Sequence, residues 1–263
     1  MTGNRKTGAL GRLAASIAAT GLAFMSATAI AQDKSAPKQM VTVNLTISTF
    51  PLLDYCVPIF VGVKEGFFEK EGIRIGSIVS SEGGGTTGRN LLTGGLDMGV
   101  VGLPAAVQAN IAGAPLPVIE SDARRVPTFT LVVAENSKFN TLGDAVAANA
   151  TFGYSSPNSA TQALLYLTLQ RAGFDYAKVP SRPTGGLGGG FTAVRGGGLA
   201  VTSAAEPFFS RAGKGLRPIH KVSENVPKFQ QAVWVVNPQF AKSNPEAVKG
   251  FLRAREAAVN WIA

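Results

Sequence analysis

Stretches typical of strands and of helices alternate along most of the chain, and this alternation constrains the fold more than any other feature. Residues 41–49 (VTVNLTIST) alternate and are β-branched, which is typical of a strand. Residues 57–73 (VPIFVGVKEGFFEKEGI) indicate a helix that ends near Gly72. The rhythm repeats once after a break near residues 121–129. It predicts an α/β fold of two lobes, each a mainly parallel sheet flanked by helices, with a ligand cleft between them.

The start of the chain has the composition of a secretory signal peptide. Arg5, Lys6 and Arg12 form a basic start without an acidic residue. Residues 13–30 are Ala-rich and apolar, and residues 29–31 (AIA) fit the A-x-A cleavage pattern. The pattern predicts export followed by cleavage.

Cleavage would divide the N-terminal part into two pieces. We expect residues 1–31 to be removed before Gln32, residues 32–40 to be a polar leader, and the mature protein to be periplasmic. A membrane anchor is the alternative, but Ser and Thr interrupt the apolar stretch, whereas spanning helices are usually more apolar.

The charge of the chain argues against a nucleic-acid partner. The chain has 25 Lys and Arg against 16 Asp and Glu, a net charge of +9. Without residues 1–31, 22 basic residues remain against the same 16 acids, a net +6. The basic residues form no stripe and are not interleaved with aromatics, so we expect no nucleic-acid binding. A mild positive field favours small anions.

Scarce cysteine and histidine limit the chemistry available. Cys56 is the single cysteine and His220 the single histidine. No intramolecular disulfide can form, and a Cys/His zinc site would lack ligands. A Ser-His-Asp triad would depend on His220, which lies in an apolar stretch typical of a strand edge. We therefore expect no enzyme activity, no metal and no cofactor.

Polar side chains crowd the start of a helix within residues 152–174 (FGYSSPNSATQALLYLTLQRAGF). Ser159 and Gln162 fit the S-x-x-Q capping box, so the cluster could serve capping alone. Ser156 and Asn158 exceed what capping needs, and they follow a strand end, where α/β sheets bind ligands. The helix N-terminus suits an anion. A nucleophile would need a base, and none is evident.

Three more strand-to-helix junctions look suited to a ligand. Residues 80–88 (SSEGGGTTG) are rich in Gly and hydroxyls, but no Gly-Lys-Ser/Thr follows and Glu82 would repel phosphate; a flexible turn is the alternative. Gly102 would let backbone approach a ligand. Phe50 and Tyr55 could form an aromatic wall or belong to the core. Four junctions without an acid–base pair indicate a binding site.

Several segments resemble ABC-importer substrate-binding proteins of the branch that binds nitrate, sulfonate, taurine and thiamine precursors. Residues 57–73 resemble the entrance segment of that family. Residues 91–102 (LLTGGLDMGVVG), 204–212 (AAEPFFSRA) and 237–254 (NPQFAKSNPEAVKGFLRA) resemble later segments. The resemblance covers about residues 43–263 and implies a type II periplasmic binding protein whose lobes close about a hinge.

The resemblance also implies a domain organisation and a set of ligand contacts. One lobe would comprise residues 41–125 and 232–263, the other residues 126–231, and the chain would continue past 263. Ala205 stands where many relatives have Trp, which implies a larger or looser pocket on the second-lobe side. By position, the implied ligand contacts are Phe50, Pro51, Gly84, Gly85, Thr86, Leu103, Ser156, Asn158, Ser159 and Glu206.

Together these features predict a periplasmic solute-binding component of an ABC importer. The expected ligand is a small organic anion, sulfonate-like or carboxylate-like, with its apolar body near Phe50. The expected partners are this small molecule and an ABC permease and ATPase at the inner membrane, and the protein is expected to be a monomer. The alternatives are a binder of a neutral heteroaromatic thiamine precursor, and a periplasmic sensor or an enzyme on the same fold.

Overall fold

The chain forms two separate five-stranded sheets in the part that the computed structural model describes, residues 40–51, 54–121 and 128–263. The expected signal peptide, all but the last residue of the expected leader, and the expected lobe boundary at residues 125 and 126 lie outside the described residues. The strands are β1 (Val41–Ser48), β2 (Ile73–Ser81), β3 (Met98–Gly102), β4 (Val118–Ser121), β5 (Phe129–Ala134), β6 (Phe152–Tyr154), β7 (Ser181–Pro183), β8 (Val201–Ala205), β9 (Leu216–Lys221) and β10 (Ala232–Val236).

Helices connect most of these strands. None of the described helices is long and apolar enough to cross a membrane. The helices are α1 (Val57–Lys64), α2 (Phe67–Lys70), α3 (Gly84–Leu92), α4 (Leu103–Ile111), α5 (Leu142–Ala147), α6 (Ala160–Arg171), α7 (Leu187–Arg195), α8 (Phe208–Ala212), α9 (Pro238–Ser243) and α10 (Pro245–Ile262).

The two sheets share one topology. The first has the order β2-β1-β3-β10-β4 and the second β7-β6-β8-β5-β9. In each, the strand in fourth place is antiparallel to both neighbours and the other four run in one direction. The reversed strands, β5 and β10, are the first to follow each passage of the chain from one sheet to the other. The predicted mainly parallel sheets are therefore confirmed. We call each sheet with its helices a lobe.

Burial explains why these segments form the centre of each sheet. Every residue of β3 (MGVVG), β8 (VTSAA) and β10 (AVWVV) is buried, as expected for strands covered on both faces. In the first lobe Phe251 of α10 packs on Phe68 of α2 and on Trp234 of β10, with ring centroids 5.4 and 5.0 Å apart. The last helix thus completes the core of the first lobe.

Three local expectations differ from the structure. The single helix expected over residues 57–73 is two helices, because Gly66 lies between them with a left-handed φ of 68°. Within the junction of residues 80–88, for which a flexible turn was the alternative, residues 84–87 form the first turn of α3. Asn before Pro245 is a pattern typical of a helix N-cap, but the Asn244 side chain makes no capping bond to α10 and donates instead to the Phe240 carbonyl at 3.5 Å.

Candidate functional site

A cavity of about 50 Å³ lies between the two lobes. Its walls come from the carboxyl ends of the forward strands, such as Gly102 of β3, and from the amino ends of the reversed strands, Phe129 of β5 and Ala232 of β10. Ligands bind at this edge in open α/β sheets. A space of this size accommodates a few water-sized groups, which matches the head group of a small ligand.

Four helix N-termini converge on this cavity. Gly84 is the first residue of α3, Gly102 directly precedes α4, Ala160 is the first residue of α6 and Leu187 the first of α7, and all four line the space. The first N–H groups of a helix have no partner within the helix, and its N-terminus carries a partial positive charge. The cavity is therefore suited to a negatively charged group.

The four helices contribute unequally. In α4 the Leu103 N–H donates to the Gln231 carbonyl at 3.3 Å, and Pro104 has no N–H. Helix α4 therefore contributes mainly the positive end of its dipole to the cavity, because neither of its first two residues has an N–H group free to bond a ligand. Helices α3, α6 and α7 begin with residues that do have N–H groups, namely Gly84, Ala160 and Leu187.

The hydroxyl cluster at the start of α6 is a bonded network. Thr161 Oγ1 accepts the Ser155 N–H at 2.9 Å and lies 2.8 and 2.9 Å from the hydroxyls of Ser155 and Ser159. Ser159 Oγ accepts the Gln162 N–H at 3.2 Å, so the predicted N-cap is confirmed. Gln162 Oε1 accepts the N–H of Asn158 at 2.7 Å. In the predicted capping box it would accept the N–H of Ser159, so the observed bond is to the residue before the N-cap.

Other polar side chains at the site have no partner of their own. Ser156 Oγ is buried, with the residue 4% exposed, and has no hydrogen-bond partner among the described residues. The Gln231 amide and the hydroxyls of Ser48 and Thr49 line the cavity and make no side-chain hydrogen bond within the same ranges. Ser156 and Gln231 are buried and Ser48 and Thr49 half-buried. Because buried polar groups are normally bonded, the first two in particular are available to a ligand.

The cavity is small because glycines let the lobes touch. A Cβ atom added to Gly85 of α3 would overlap the carbonyl oxygen of Pro157, and one on Gly102 would lie 2.8 Å from the Ala160 nitrogen. Both contacts join the first lobe to the second. A side chain at either glycine would therefore hold the lobes apart.

Two further glycines lie at the same seam. A Cβ atom on Gly83 would lie 2.8 Å from Ser156 Oγ, and one on Gly186 would lie 2.5 Å from Glu82 Oε2. The glycines have φ values of 137° and 135°, in the region that favours glycine. The Glu82 carboxylate thus crosses the cleft to the start of α7.

Half of the residues implied by the resemblance gather at this place. Gly84 and Ser159 line the cavity, and Ser156 faces the start of α3 beside it. Gly85 and Asn158 line a neighbouring open groove of about 310 Å³ between α3 and α4.

Phe50, the aromatic residue among the ligand contacts implied by the resemblance, does not line the cavity. Phe50 stacks on Phe60 of α1 with ring centroids 5.3 Å apart, and Pro51 is exposed. Tyr55 and Phe129 are the aromatic side chains that line the space, and the Tyr55 hydroxyl donates to the Ser48 carbonyl at 2.5 Å.

Three further implied residues also lie outside the cavity lining. Thr86 Oγ1 accepts a hydrogen bond from the exposed Arg89 at 3.1 Å. Leu103 packs into the core of the first lobe. Glu206 Oε2 accepts the Ser210 N–H at 2.9 Å and so caps α8.

Several cavity residues escape the sequence reasoning, and two of them lie at telling places in the chain. Gln231 and Phe129 directly adjoin the two crossings between the lobes. One sequence signal could have identified Gln231. It is a polar residue immediately before a fully buried strand, at a point where the chain passes between the lobes and so borders the cleft.

None of the described residues that line the cavity is charged. Burial, together with the neighbouring Tyr166, raises the pKa of Tyr154 above its ordinary value, so this phenol adds no negative charge behind the site. His220 bonds to Asn225 Oδ1 at 2.6 Å in the edge strand β9. In the described ranges no cluster of His, Cys, Asp and Glu could hold a metal ion. The arrangement can bind and orient an anion with neutral donors.

Comparison with known proteins points in one direction. The model of the family described as NMT1/THI5 like matches residues 54–263. No curated protein sequence matches the chain. The chain is similar to the alkanesulfonate-binding protein SsuA from Xanthomonas axonopodis pv. citri bound to MOPS, with 15% identity and a TM-score of 0.68, over 82% of this chain and 72% of that one.

Two other solved structures are similar to the chain. The periplasmic nitrate-binding protein NrtA from Synechocystis PCC 6803 has 16% identity and a TM-score of 0.67, over 85% of this chain and 62% of that one. A binding protein component of an ABC phosphonate transporter from Pseudomonas aeruginosa has 16% identity and a TM-score of 0.59, over 81% and 74%. The expected two-lobed fold of a periplasmic binding protein is confirmed.

Proposed function

Since the chain belongs to the NMT1/THI5-like family, we propose that it is the periplasmic solute-binding component of an ABC importer and binds a small organic anion between its lobes. The similar structures are solute-binding proteins, which supports binding without catalysis. The protein reaches the periplasm through a signal peptide removed after Ala31. It works as a monomer and delivers the anion to an ABC permease and ATPase at the inner membrane.

The observation that carries the proposal is the convergence of α3, α4, α6 and α7 on a cavity with no charged residue in its described lining. An anion there accepts hydrogen bonds from first-turn N–H groups and gains from four helix dipoles. Such charge-assisted bonds are stronger than bonds between neutral groups. A cation would be repelled by the same dipoles, and a neutral molecule would gain less.

The cavity accommodates only the head of an organic anion. A sulfonate or carboxylate group fits a space of about 50 Å³ beside Gly84 and Ala160. The apolar walls come from Phe129 and Leu187. We assign the part of the apolar body next to the head group to these two residues and not to Phe50, which packs on α1.

A thermal-shift panel tests the charge of the ligand. We would compare alkanesulfonates, benzoate and nitrate with the neutral methanesulfonamide and benzamide. At a hundred times its dissociation constant, an anion should add about 2.7 kcal/mol of stability, or about 5–10 °C in Tm. A response to the neutral amides alone, or to no anion, would reject the proposal.

A neutral heteroaromatic thiamine precursor is the second candidate. Tyr55 and Phe129 line the cavity, and a flat ring could stack on either of them. Aminopyrimidines in the same panel separate the two readings. A shift from aminopyrimidines that is insensitive to salt would favour this candidate, because stacking does not depend on ionic strength as anion binding does.

Transport and sensing differ in the partner that receives the loaded protein. If a permease and an ATPase are encoded beside the gene, stimulation of their ATP hydrolysis by the loaded protein would support transport. Loaded protein that leaves this hydrolysis unchanged would support a sensor.

A further inference from the structure

The segment before β10 places Gln231 in the wall of the cavity. The backbone carbonyl of Gln231 accepts the Leu103 N–H at 3.3 Å. The side chain of the preceding Gln230 bonds to the Ser121 hydroxyl at 2.7 Å and to the Ala232 carbonyl at 2.6 Å. These bonds hold the backbone at and around Gln231, so the fold keeps this residue at the cavity wall.

Gln231 is a largely buried residue whose amide forms no hydrogen bond with the described part of the chain. The residue is 7% exposed and lines the cavity, and its side chain makes no hydrogen bond within residues 40–51, 54–121 and 128–263. A buried amide without a partner is unfavourable. The Gln231 amide is thus available to form hydrogen bonds with a ligand in the cavity.

The amide has a chemistry that the rest of the lining lacks. Helix N–H groups only donate, whereas a glutamine offers two N–H donors, one acceptor oxygen and no charge. The similar structures include binders of a sulfonate, of nitrate and of a phosphonate. Sulfonate and nitrate only accept hydrogen bonds, whereas a singly charged phosphonate carries an O–H that needs an acceptor.

We propose that Gln231 is a specificity-determining residue that contacts the head group of the ligand and selects oxyanions without a proton, such as sulfonates, over hydrogen phosphonates. The inference rests on the proposed anion site. With a sulfonate, the Gln231 N–H groups donate to the ligand, as the helix N–H groups do. Every hydrogen bond then has a sulfonate oxygen as its acceptor. With a hydrogen phosphonate, the P–O–H must take the amide oxygen, which turns the N–H groups away from the remaining anionic oxygens.

The variant Gln231→Glu tests the inference with a side chain of nearly the same shape. At about pH 6 an alkylphosphonate retains one proton and a glutamate of ordinary pKa has lost its own. The carboxylate then repels a sulfonate but accepts the phosphonate proton. Calorimetry with methanesulfonate and methylphosphonate should show sulfonate affinity falling about 10–100-fold and phosphonate affinity falling less, so the preference shrinks or reverses.

Gln170→Glu is the matched control, because Gln170 is exposed in the last turn of α6 and receives the same change of charge. It should keep the preference of the unmodified protein. Gln231→Ala is the second variant if Gln231→Glu does not fold, and it should weaken sulfonate binding about 2–10-fold.

The outcomes separate this inference from the proposed function. If the unmodified protein binds neither methanesulfonate nor any other anion of the panel, the proposed function fails. If it binds methanesulfonate and both Gln231 variants keep its affinities and its ratio of sulfonate to phosphonate, only the role of Gln231 is overturned. A preference that shifts in Gln231→Glu and not in Gln170→Glu supports the inference.

Discussion

Ser156 is buried without a hydrogen-bond partner in the described part of the chain, and this is unusual for a hydroxyl. Its oxygen faces Gly83, directly before α3. The neighbouring hydroxyls of Ser155 and Ser159 are hydrogen-bonded to Thr161, so the cluster contains two bonded hydroxyls beside the unbonded hydroxyl of Ser156. An unbonded buried hydroxyl does not favour folding, which points to a use in binding.

Two serine variants should therefore behave in opposite ways. Ser156→Ala should weaken ligand binding by about 0.5–3 kcal/mol and leave the free energy of unfolding unchanged or raise it by up to about 1 kcal/mol. Ser159→Ala should lower the free energy of unfolding by about 1 kcal/mol, because Ser159 caps α6. Urea denaturation and calorimetry measure the two effects. Unchanged affinity in Ser156→Ala would make the cluster a capped turn only.

Asp97 shows that a residue within a family-like segment can have a structural role. Its carboxylate accepts the backbone N–H of Asn44 at 2.7 Å and the side-chain N–H at 3.3 Å. The Asn44 oxygen in turn accepts the Ser77 N–H at 3.0 Å. Asp97 thus ties the start of β3 to β1 and β2, away from the cavity lining.

At the level of elements, the glycines at the start of α3 and the end of β3 decide how closely the lobes approach. Gly85→Ala is compatible with the helix itself, since alanine favours helices by about 1 kcal/mol over glycine. The added methyl group would meet the Pro157 carbonyl of the other lobe. We expect Tm to be maintained or raised and ligand affinity to fall at least tenfold, because the cleft no longer closes.

Gly188→Ala is the control for this variant. Gly188 is the second residue of α7, as Gly85 is the second residue of α3. A Cβ atom there would meet Phe208 at 3.7 Å, an ordinary contact. Its affinity should stay within twofold of the unmodified protein. Equal losses of affinity in both variants would argue against closure at Gly85.

Arg255 should hold α10 on the first lobe. The residue is 1% exposed, and its guanidinium nitrogens lie 2.7 and 3.2 Å from the two carboxylate oxygens of Glu120 in β4. The guanidinium carbon lies 4.6 Å from the centre of the Trp234 ring. Arg255 is buried while the Glu120 side chain remains 27% exposed, so Arg255→Ala should lower the free energy of unfolding by about 1.5–3 kcal/mol, the range for hydrogen bonds to charged groups. Arg253→Ala on the same helix should cost at most about 1 kcal/mol, because the side chain of Arg253 is half exposed. Urea titrations with similar costs for the two variants would refute this role.

Local sequence signals predict the elements better than their arrangement. Strand β1 and the cap of α6 by Ser159 follow from alternation and a capping pattern, and both are confirmed. The first turn of α3 was missed because its glycines disfavour a helix locally, whereas contact with Pro157 leaves no room for larger residues. Strand order and the entry of Gln231 into the cavity depend on distant parts of the chain, which local patterns do not encode.

At the scale of the whole molecule, the chain passes twice between the lobes. The second passage runs from the end of β9 to the start of β10. Gln230 on this passage bonds to Ser121, the last residue of β4, at 2.7 Å. The ends of both connections are thus tied together beside the cavity, which is where a hinge would act. A ligand that bonds to Gln231 would lie directly beside this hinge.

The last prediction concerns the motion that this arrangement permits. The lobes touch through Gly85 and Gly102, and the remaining cavity of about 50 Å³ is smaller than a whole organic anion, so the lobes must separate to admit one. Hinge closure around the ligand should follow. Small-angle scattering should show a smaller radius of gyration at saturating ligand than without it. Gly85→Ala should stay at the larger value under both conditions, since its methyl group blocks the seam, whereas Gly188→Ala should compact normally. A radius that saturating ligand does not change in the unmodified protein would mean that the two lobes form one rigid body.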